Sequence, residues 1–368
     1  MTFVLGSSTT APARRGLWCS CCRTLPGLGA APARRKSSKA ARSAVSKKAK
    51  RAPARPSPQR IDVHHHIAPP AYVTAMAVAG VGERNPYQEE VYRGWSPQVA
   101  VDSMDEGGTA TAITSITNGA ALAAHPDRIR IARECNEYAA QLARDYPGRF
   151  GHFATLPMPD VDACLKEMEY ALDVLHMDGV DIRTSYGRHY LGDPAFAPIY
   201  EELDRRKAIV YSHPHGPDFA KGLLPGVPGS TIEFCADTAR AIASVLFAGT
   251  AVRYPQVRFI FSHSGGVVPF ITERFTRLAA RKDHAGKFPR GVLYELKKLY
   301  YEVAQAAHPW ALSSLTLLAP MTHILFGTDF PYRTSKEIGR QLAAFGFSAS
   351  DLQAINRGNA VRLFPRYK

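Results

Sequence analysis

From residue 61 to the C-terminus, short runs of β-branched and aromatic residues alternate with longer amphipathic runs, and no linker rich in Gly and Pro interrupts them. The short runs predict eight strands, at residues 60–65, 111–116, 150–156, 179–184, 208–213, 257–263, 298–304 and 323–328. The amphipathic runs predict helices at residues 97–106, 125–146, 161–176, 195–207, 233–249, 268–283, 309–319, 335–346 and 350–363. Eightfold alternation of strand and helix predicts an α/β fold, a TIM-type (β/α)8 barrel of parallel strands bridged by helices.

The formal net charge of +14 comes from one end of the chain. Residues 1–60 contain 14 of the 46 Lys and Arg residues and no Asp or Glu, so the 32 basic residues that remain equal the 32 acidic ones. A body without net charge lacks the basic face that binds phosphate backbones. We therefore expect no nucleic-acid partner for the body.

The basic segment, residues 1–59, is rich in Ala, Arg, Lys, Ser and Pro and shows little apolar periodicity. This composition predicts a disordered tail, and residues 60–368 are predicted to form the barrel domain. A start rich in Arg and Ser is also typical of organelle transit peptides, so import is the alternative to a cytoplasmic location. No apolar run approaches the roughly 20 residues that span a bilayer, and no membrane partner is expected.

The six cysteines predict neither a disulfide framework nor a zinc site. The Cys-Ser-Cys-Cys run at residues 19–22 lacks a second pair of ligands at zinc-site spacing. Cys135, Cys164 and Cys235 are scattered singly through helix-like segments. This distribution is typical of buried thiols in a reducing compartment.

Polar side chains end four of the predicted strands. His64 and His66 lie one residue apart at the end of the first strand, so both imidazoles face the same side of it. His213 ends the fifth strand, His263 ends the sixth, and Asp329 follows the eighth. Because the strand ends of a barrel converge on one mouth, these residues can meet there. Three imidazoles from this set, together with the carboxylate, suit a divalent cation such as zinc.

The other histidines are interpreted as structural or solvated. His65 should point to the opposite face of its strand from its two neighbours. The remainder lie in predicted helices, loops or strand starts: His125, His152, His176, His189, His284, His308 and His323.

Two long insertions, residues 68–96 and 214–232, follow the first and fifth strands. Loops after the strands lie on the catalytic face of a barrel, so both insertions are candidates for covering a substrate pocket. The alternative is that they are plain surface excursions.

Five residues near the predicted mouth are candidate substrate-binding residues. Tyr186, Phe330 and Tyr332 follow the fourth and eighth strands and could pack against a planar ring, and Trp95 in the first insertion could close over it. His215 shares a loop with a predicted metal ligand.

Four segments resemble the signature stretches of a known family. They are Ile-Asp-Val-His-His-His (61–66), Tyr-Ser-His-Pro (211–214), Phe-Ser-His-Ser-Gly-Gly (261–266) and Leu-Phe-Gly-Thr-Asp-Phe-Pro-Tyr (325–332). They look like those of the amidohydrolase superfamily, in particular the branch of aminocarboxymuconate-semialdehyde decarboxylase and related aromatic-acid decarboxylases. The resemblance runs from about residue 60 to the C-terminus. A Leu-Tyr-Tyr-Glu strand before the last segment makes the chain look most like the 6-methylsalicylate decarboxylase group.

The resemblance implies roles for the residues at the mouth. His64, His66, His213 and Asp329 would bind the metal, and His263 would be a catalytic acid/base rather than a ligand. Asp329 would also take part in catalysis.

Relatives with two metal ions need a carbamylated lysine at the end of strand four. Residues 179–185 contain no lysine, so one divalent ion is expected. Zinc is favoured, with manganese and magnesium as alternatives. Arg183 in this strand could pair a carboxylate or face the helical layer. The resemblance also implies a homodimer, because some relatives complete the pocket with an arginine of the neighbouring subunit.

The activity implied is metal-dependent, non-oxidative decarboxylation of an aromatic or unsaturated carboxylic acid resembling 6-methylsalicylate. A divalent ion can hold a carboxylate and an ortho hydroxyl, while Asp329 delivers a proton to the ring and His263 polarises or relays it. The same residues could instead activate water against an ester, lactone or amide, so a metal-dependent hydrolase is the alternative. A regulatory barrel without activity is a further alternative, which the complete set of ligands disfavours.

Overall fold

A computed structural model describes residues 59–79, 86–116 and 122–368 of the chain. Apart from Gln59, the predicted tail and its cysteines therefore lie outside the described residues, as does part of the first insertion. None of the helices in the described ranges is long and apolar enough to cross a membrane.

Eight parallel strands form one sheet that closes into a barrel, which confirms the predicted fold class. In their order around the sheet they are β1 (Arg60–Ile67), β2 (Thr109–Ile116), β3 (Phe150–Thr155), β4 (Gly179–Arg183), β7 (Ile209–His213), β8 (Arg258–Phe261), β9 (Tyr300–Glu302) and β10 (Ile324–Leu325). A small antiparallel ribbon, β5 (Ser185–Tyr186) and β6 (His189–Tyr190), follows β4. At the seam with β1, Asp329 N donates to His64 O at 2.7 Å and His66 N donates to Phe330 O at 2.8 Å.

Helices surround the barrel. They are α1 (Pro70–Ala79), α2 (Pro86–Gly94), α3 (Pro97–Gly107), α4 (Arg128–Asp145), α5 (Val161–Glu169), α6 (Ala197–Arg205), α7 (Gly229–Phe247), α8 (Thr250–Arg253), α9 (Val268–Ala279), α10 (Val292–Lys298), α11 (Pro309–Leu318), α12 (Ser335–Ala344), α13 (Ala349–Gln353) and α14 (Asn359–Leu363). One π-helical turn, Tyr170–Val174, continues α5, and another, Ala354–Gly358, joins α13 to α14. Each predicted helix is present, whereas α1, α2, α8 and α10 were not predicted.

The alternation of side chains along the strands separates two apolar layers. Val180 and Ile182 of β4 pack in the layer between the sheet and the helices. A second cluster fills the barrel interior, where Phe153 stacks on Tyr211 with ring centroids 5.1 Å apart. Phe364, just after α14, belongs to this inner cluster. The interior is therefore packed beneath the histidines, which confines the polar site to one end of the barrel.

An irregularity in β1 positions the two strand histidines. The register of β1 against β2 shifts after Asp62, so that Val63 packs in the inner cluster and the next residue, His64, also faces inward together with His66. Strict alternation would send adjacent residues to opposite faces. Asp62 Oδ1 accepts hydrogen bonds from His64 N at 3.1 Å and Thr328 N at 3.0 Å, which holds the irregular segment against the end of β10.

The first insertion is not a plain loop. Its helix α1 packs through Tyr72 and Ala75 against Ile131 and Cys135 of α4, on the outside of the barrel. Only part of this insertion is thus available to cover the mouth.

Candidate metal centre and active site

The carboxyl ends of the strands bring all five predicted metal-binding and catalytic residues together. One potential ligand atom from each of His64, His213, His263 and Asp329 lies within 4.8 Å of the others. His66 joins them, because its Nε2 is 3.0 Å from His64 Nε2 and 3.1 Å from Asp329 Oδ1. Each of the five is at most 6% exposed.

The contacts among His64, His66 and Asp329 match the spacing of donors around one divalent ion. His64 Nδ1 lies 2.9 Å from a carboxylate oxygen of Glu302, so Nδ1 carries a hydrogen and Nε2 is the nitrogen that faces the other donors. That Nε2 is 3.0 Å from His66 Nε2 and 3.1 Å from Asp329 Oδ1. Two donors bound to one ion at zinc–nitrogen distances lie roughly 2.9–3.4 Å apart, depending on the angle between them. The residues present therefore fit a single cation.

His213 and His263 contribute further nitrogen atoms. His213 Nδ1 donates to Pro214 O at 2.8 Å, which leaves the lone pair on Nε2. That Nε2 is buried without a hydrogen-bond partner among the described residues, and so are both ring nitrogens of His263. A buried polar atom without a partner is destabilising, and contact with a cation or a substrate would relieve that cost.

Burial and neighbouring charges keep two of the proposed ring ligands neutral and the carboxylate ionised. Burial lowers the pKa of His66 to about 4. Burial and the Arg183 guanidinium together lower the pKa of His213 well below its ordinary value. Burial by itself would raise the pKa of Asp329, but the adjacent histidines, His64 foremost, hold it well below its usual range. His66 and His213 thus keep free lone pairs at neutral pH, and Asp329 is ionised.

Glu302, at the end of β9, is a site residue that the sequence reasoning missed. It is fully buried, and its Oε1 accepts hydrogen bonds from His64 Nδ1 at 2.9 Å and from His263 N at 2.6 Å. Although burial lowers the pKa of His64, the carboxylates of Glu302 and Asp329 raise it to about 10, so a bound cation would displace a proton from Nε2. Gly327 makes room for this carboxylate, because a Cβ there would overlap Glu302 Oε2. The available signal was an acidic residue inside the predicted strand 298–304, where apolar residues are expected.

Several site residues other than glycine have a left-handed backbone. The φ angles are 52° for His263, 57° for Ser264, 57° for Gln305 and 66° for Asp329. Such conformations cost of the order of 1 kcal/mol or more and concentrate at functional sites. At His263 and Asp329 they occur just beyond the strand ends, where they redirect the side chains toward the mouth.

A cavity of about 2080 Å³ opens at the mouth. Among the residues that line it are His66, His213, His263, Asp329, Tyr186, His215, Tyr332, Gln305, Arg333 and most of residues 214–232. The second insertion therefore forms part of the cavity wall, as predicted for a pocket-covering loop.

Two of the predicted substrate-binding residues are not among the described residues that line this cavity. Phe330 pairs with His65 where the barrel closes and stacks on its ring, with ring centroids 4.4 Å apart. Trp95 is partly buried in the helical layer, with its ring 6.4 Å from that of Tyr138 in α4. Neither of these aromatic rings therefore faces the cavity in which a substrate is expected.

Two further expectations concern side-chain direction. His65 points away from the other histidines, as predicted, and its Nδ1 lies 3.1 Å from Asp62 Oδ2. Arg183 is buried, and its Nη2 donates to Asp181 Oδ2 at 2.6 Å and to Ile116 O at 2.5 Å. Alternation along β4 places this ion pair inside the barrel, since Val180 and Ile182 pack toward the helices.

Comparisons with known proteins agree with this architecture. A family model described as amidohydrolase matches residues 61–366. Decarboxylase yanB of Aspergillus niger is 36% identical over 328 residues, covering 84% of this chain and 88% of that protein. The 6-methylsalicylic acid decarboxylase of Penicillium expansum is 33% identical over 319 residues, covering 84% of this chain and 97% of that protein. A crystal structure of a dihydroxybenzoic acid decarboxylase from Polaromonas sp. JS666, with bound manganese and the inhibitor 2-nitroresorcinol, superimposes with a TM-score of 0.72 at 25% identity and covers 84% of this chain and 97% of that chain.

Proposed function

The chain belongs to the amidohydrolase family, and on that premise we propose that it is a metal-dependent, non-oxidative decarboxylase of an aromatic carboxylic acid of the 6-methylsalicylate type. The observation that carries the proposal is the buried group of imidazoles and one carboxylate, spaced for a single cation, at the floor of an open cavity. The amidohydrolase fold alone is compatible with hydrolysis. Decarboxylation is favoured because relatives more than 30% identical over most of the chain are named decarboxylases.

We assign metal binding to His64, His66, His213 and Asp329, and acid/base chemistry to His263 and Asp329. Asp329 Oδ1 faces the two histidines of β1, whereas its Oδ2 lies 3.6 Å from His263 Nε2. This geometry separates a metal-binding side of the carboxylate from a reacting side. Imidazole-rich ligation favours zinc, while the manganese bound by the Polaromonas relative supports manganese. Magnesium is less suited to so many imidazoles.

A divalent ion held by His64, His66, His213 and Asp329 would supply positive charge that attracts the substrate carboxylate and offsets the charge that develops as carbon dioxide leaves. Asp329 is ionised in the free site, so it first takes up a proton that His263 relays from solvent, and it then delivers this proton to the ring carbon that bears the carboxylate. The electrons of the breaking carbon–carbon bond then return to the ring, carbon dioxide departs, and the new carbon–hydrogen bond remains in the product.

Three of the cavity residues are suited to hold the ring. The Tyr332 ring lies edge-on to that of His66, with centroids 6.3 Å apart. The hydroxyl of Tyr186 accepts a hydrogen bond from Arg183 N at 2.8 Å, so its position is fixed. His215 Nε2 lies 3.0 Å from Ser185 O. We assign substrate contact to these three residues and not to Trp95 or Phe330.

We further propose that a second copy of the chain covers the cavity mouth in a homodimer. Phe270 on α9 is 86% exposed, and Trp310 and Leu317 on α11 are 83% and 88% exposed. Exposed apolar patches of this kind typically mark interfaces. The cavity of about 2080 Å³ is also large against the roughly 300–1,000 Å³ of ordinary small-molecule sites. Sedimentation of the wild type and of a Phe270→Glu, Trp310→Glu variant checks this, and a monomeric wild type would contradict it.

The place of the barrel in the cell is proposed to be the cytoplasm, with residues 1–59 as a tail and residues 60–368 as the catalytic domain. Buried cysteines such as Cys135 suit a reducing compartment. A fluorescent fusion of the full chain, compared with one that lacks residues 1–59, tests this. An organelle pattern that is lost on deletion would establish import instead.

The central experiment is a substrate panel. Metal-loaded protein is incubated in D₂O with 6-methylsalicylate, dihydroxybenzoates, and ester and lactone substrates, and carbon dioxide and products are measured. We expect carbon dioxide release and a phenolic product with one deuterium at the carbon that carried the carboxylate. Asp329→Asn should abolish turnover. Hydrolysis without gas release would show that the hydrolase alternative is correct.

A further inference from the structure

Gln305 occupies an unusual position in the cavity wall. It lies three residues after the end of β9, its backbone φ is 57°, and its side chain is exposed to the cavity rather than packed in the core. Residues other than glycine seldom adopt this backbone conformation. Packing does not explain the choice of residue here, which directs attention to the contacts of the side-chain amide.

The amide of Gln305 has one permitted orientation. Its Nε2 lies 2.9 Å from Asp329 Oδ2, and its Oε1 lies 3.1 Å from Arg333 Nε. A guanidinium group can only donate hydrogen bonds and an ionised carboxylate can only accept them. The amide oxygen must therefore face Arg333, and the amide N–H must point at Asp329.

The series of hydrogen bonds leads from Asp329 through Gln305 and Arg333 to helix α12, outside the site. Arg333 Nη1 donates to Glu337 Oε1 at 3.0 Å. Glu337 lies in the first turn of α12, where its backbone N–H donates to the capping Thr334 Oγ at 3.2 Å. Gln305 is therefore connected through Arg333 to the first turn of α12.

We propose that Gln305, anchored by Arg333, is a positioning residue that fixes the rotation of the Asp329 carboxylate. It keeps Oδ1 directed at His64 and His66 while Oδ2 faces His263. Without the amide donor, the carboxylate can turn about its Cβ–Cγ bond, and the oxygen that faces the reacting carbon is no longer defined. The kinetic consequence of this proposal rests on the proposed decarboxylase function, whereas the geometric one does not.

Four variants separate the contacts kinetically. Gln305→Met removes both hydrogen bonds, and Gln305→Glu keeps an oxygen for Arg333 but loses the donor to Asp329. We expect each to lower kcat about 10- to 100-fold while KM changes less than about threefold, because the contact orients a reacting group. Arg333→Met should lower kcat about 3- to 10-fold. The double variant Gln305→Met, Arg333→Met should match Gln305→Met within about twofold, since losses within one chain of contacts do not add.

Gln98→Met is the matched control. Gln98 Nε2 donates to Asp102 Oδ1 at 2.8 Å on the exposed surface of α3, so the variant removes the same kind of hydrogen bond away from the site. Its kcat should stay within about twofold of the wild type, as is usual for surface substitutions. Retention of kcat in Gln305→Met, or losses that multiply in the double variant, would overturn the proposal.

The electron paramagnetic resonance spectrum of protein loaded with Mn²⁺ alone gives a readout without turnover. A rotated Asp329 changes the symmetry around the ion, so Gln305→Met and Gln305→Glu should alter the spectrum, and Gln98→Met should not. Spectra of the wild type and both Gln305 variants that superimpose would overturn the proposal. If the wild type releases no carbon dioxide from any acid of the panel, the proposed function fails, and the spectra still decide the role of Gln305.

Discussion

Glu302 Oε1 accepts a hydrogen bond from His64 Nδ1 at 2.9 Å inside a fully buried part of the barrel. Because the carboxylate can only accept, this contact determines that Nδ1 of His64 carries a hydrogen and that Nε2 faces the other proposed ligands. The same oxygen accepts from His263 N at 2.6 Å. One carboxylate therefore orients a proposed metal ligand and the backbone of the proposed acid/base residue. Partners of this kind commonly set the affinity of a metal site.

Replacing this carboxylate by an amide should weaken metal binding. Glu302→Gln removes the negative charge that orients His64. The amide NH₂ of the glutamine can also face the two N–H groups that donate to Oε1 in the wild type, and donors that face each other repel. We expect metal affinity to fall about 10- to 100-fold in a competition titration with a chromophoric chelator. Glu295→Gln is the control, since Glu295 is also buried but pairs with Lys298 on α10. Equal affinities in Glu302→Gln and the wild type would show that His64 is oriented by other means.

A methyl group at Gly327 should disturb the same contact without removing any charge. The added Cβ would overlap Glu302 Oε2 and approach His64 Cβ. We expect Gly327→Ala to lower the free energy of unfolding by about 1–3 kcal/mol and to weaken metal binding in parallel. Gly94→Ala, where a Cβ would meet open space, should change neither quantity. Urea unfolding and the chelator titration measure both, and unaltered metal binding in Gly327→Ala would contradict the proposed role of Glu302.

The different roles proposed for His213 and His263 can be tested by measuring the metal content of variants. His213→Asn should lose bound metal together with activity, because its Nε2 is assigned as a ligand. His263→Asn should retain metal but lose about 10²- to 10⁴-fold in kcat, the usual range for an acid/base group. Elemental analysis of the purified variants and steady-state kinetics provide the two measurements. Metal loss in His263→Asn would make His263 a ligand, as its closeness to the other donors permits.

A buried histidine outside the site should make the fold sensitive to acid. Burial, with a smaller effect of Arg366, lowers the pKa of His152 from 6.5 to about 3. The unfolded chain therefore binds this proton more readily than the folded one. The contribution of His152 to the free energy of unfolding is complete above pH 6.5. It is lost as the pH falls toward 3, at about 1.4 kcal/mol per pH unit. In urea unfolding between pH 7 and pH 4, His152→Asn should lose stability less steeply than the wild type. Parallel slopes would contradict the assigned pKa.

The strands that carry the site were predictable because each one is a local apolar run followed by a polar residue. All eight are present, and the predicted ligands meet at their carboxyl ends. The strand ends were less accurate: residues 298–304 and 323–328 shorten to Tyr300–Glu302 and Ile324–Leu325. A strand ends where its hydrogen bonds to the neighbouring strands end, and composition alone does not show that point. After β9 and β10, short apolar segments continue into turns that contain Gln305 and Asp329.

Side-chain direction was predictable where the strands are regular. Period-two alternation correctly separated His65 from His64 and His66. The rule does not extend beyond β10, where Asp329 has a left-handed backbone and Phe330 stacks on His65 instead of lining the cavity. The helices in the first insertion were missed, and with them the packing of Trp95 against Tyr138 instead of over the mouth.

The sequence by itself determined the barrel and the set of metal-binding candidates, because both follow from local periodicity and from the residue type at each strand end. Only the tertiary structure decided which groups support them. Glu302 and Gln305 are ordinary polar residues until closure of the barrel places one 2.9 Å from His64 and the other 2.9 Å from Asp329. Hydrogen bonds across the mouth depend on strand register, backbone turns and rotamers, and these are fixed only when segments far apart in sequence pack together.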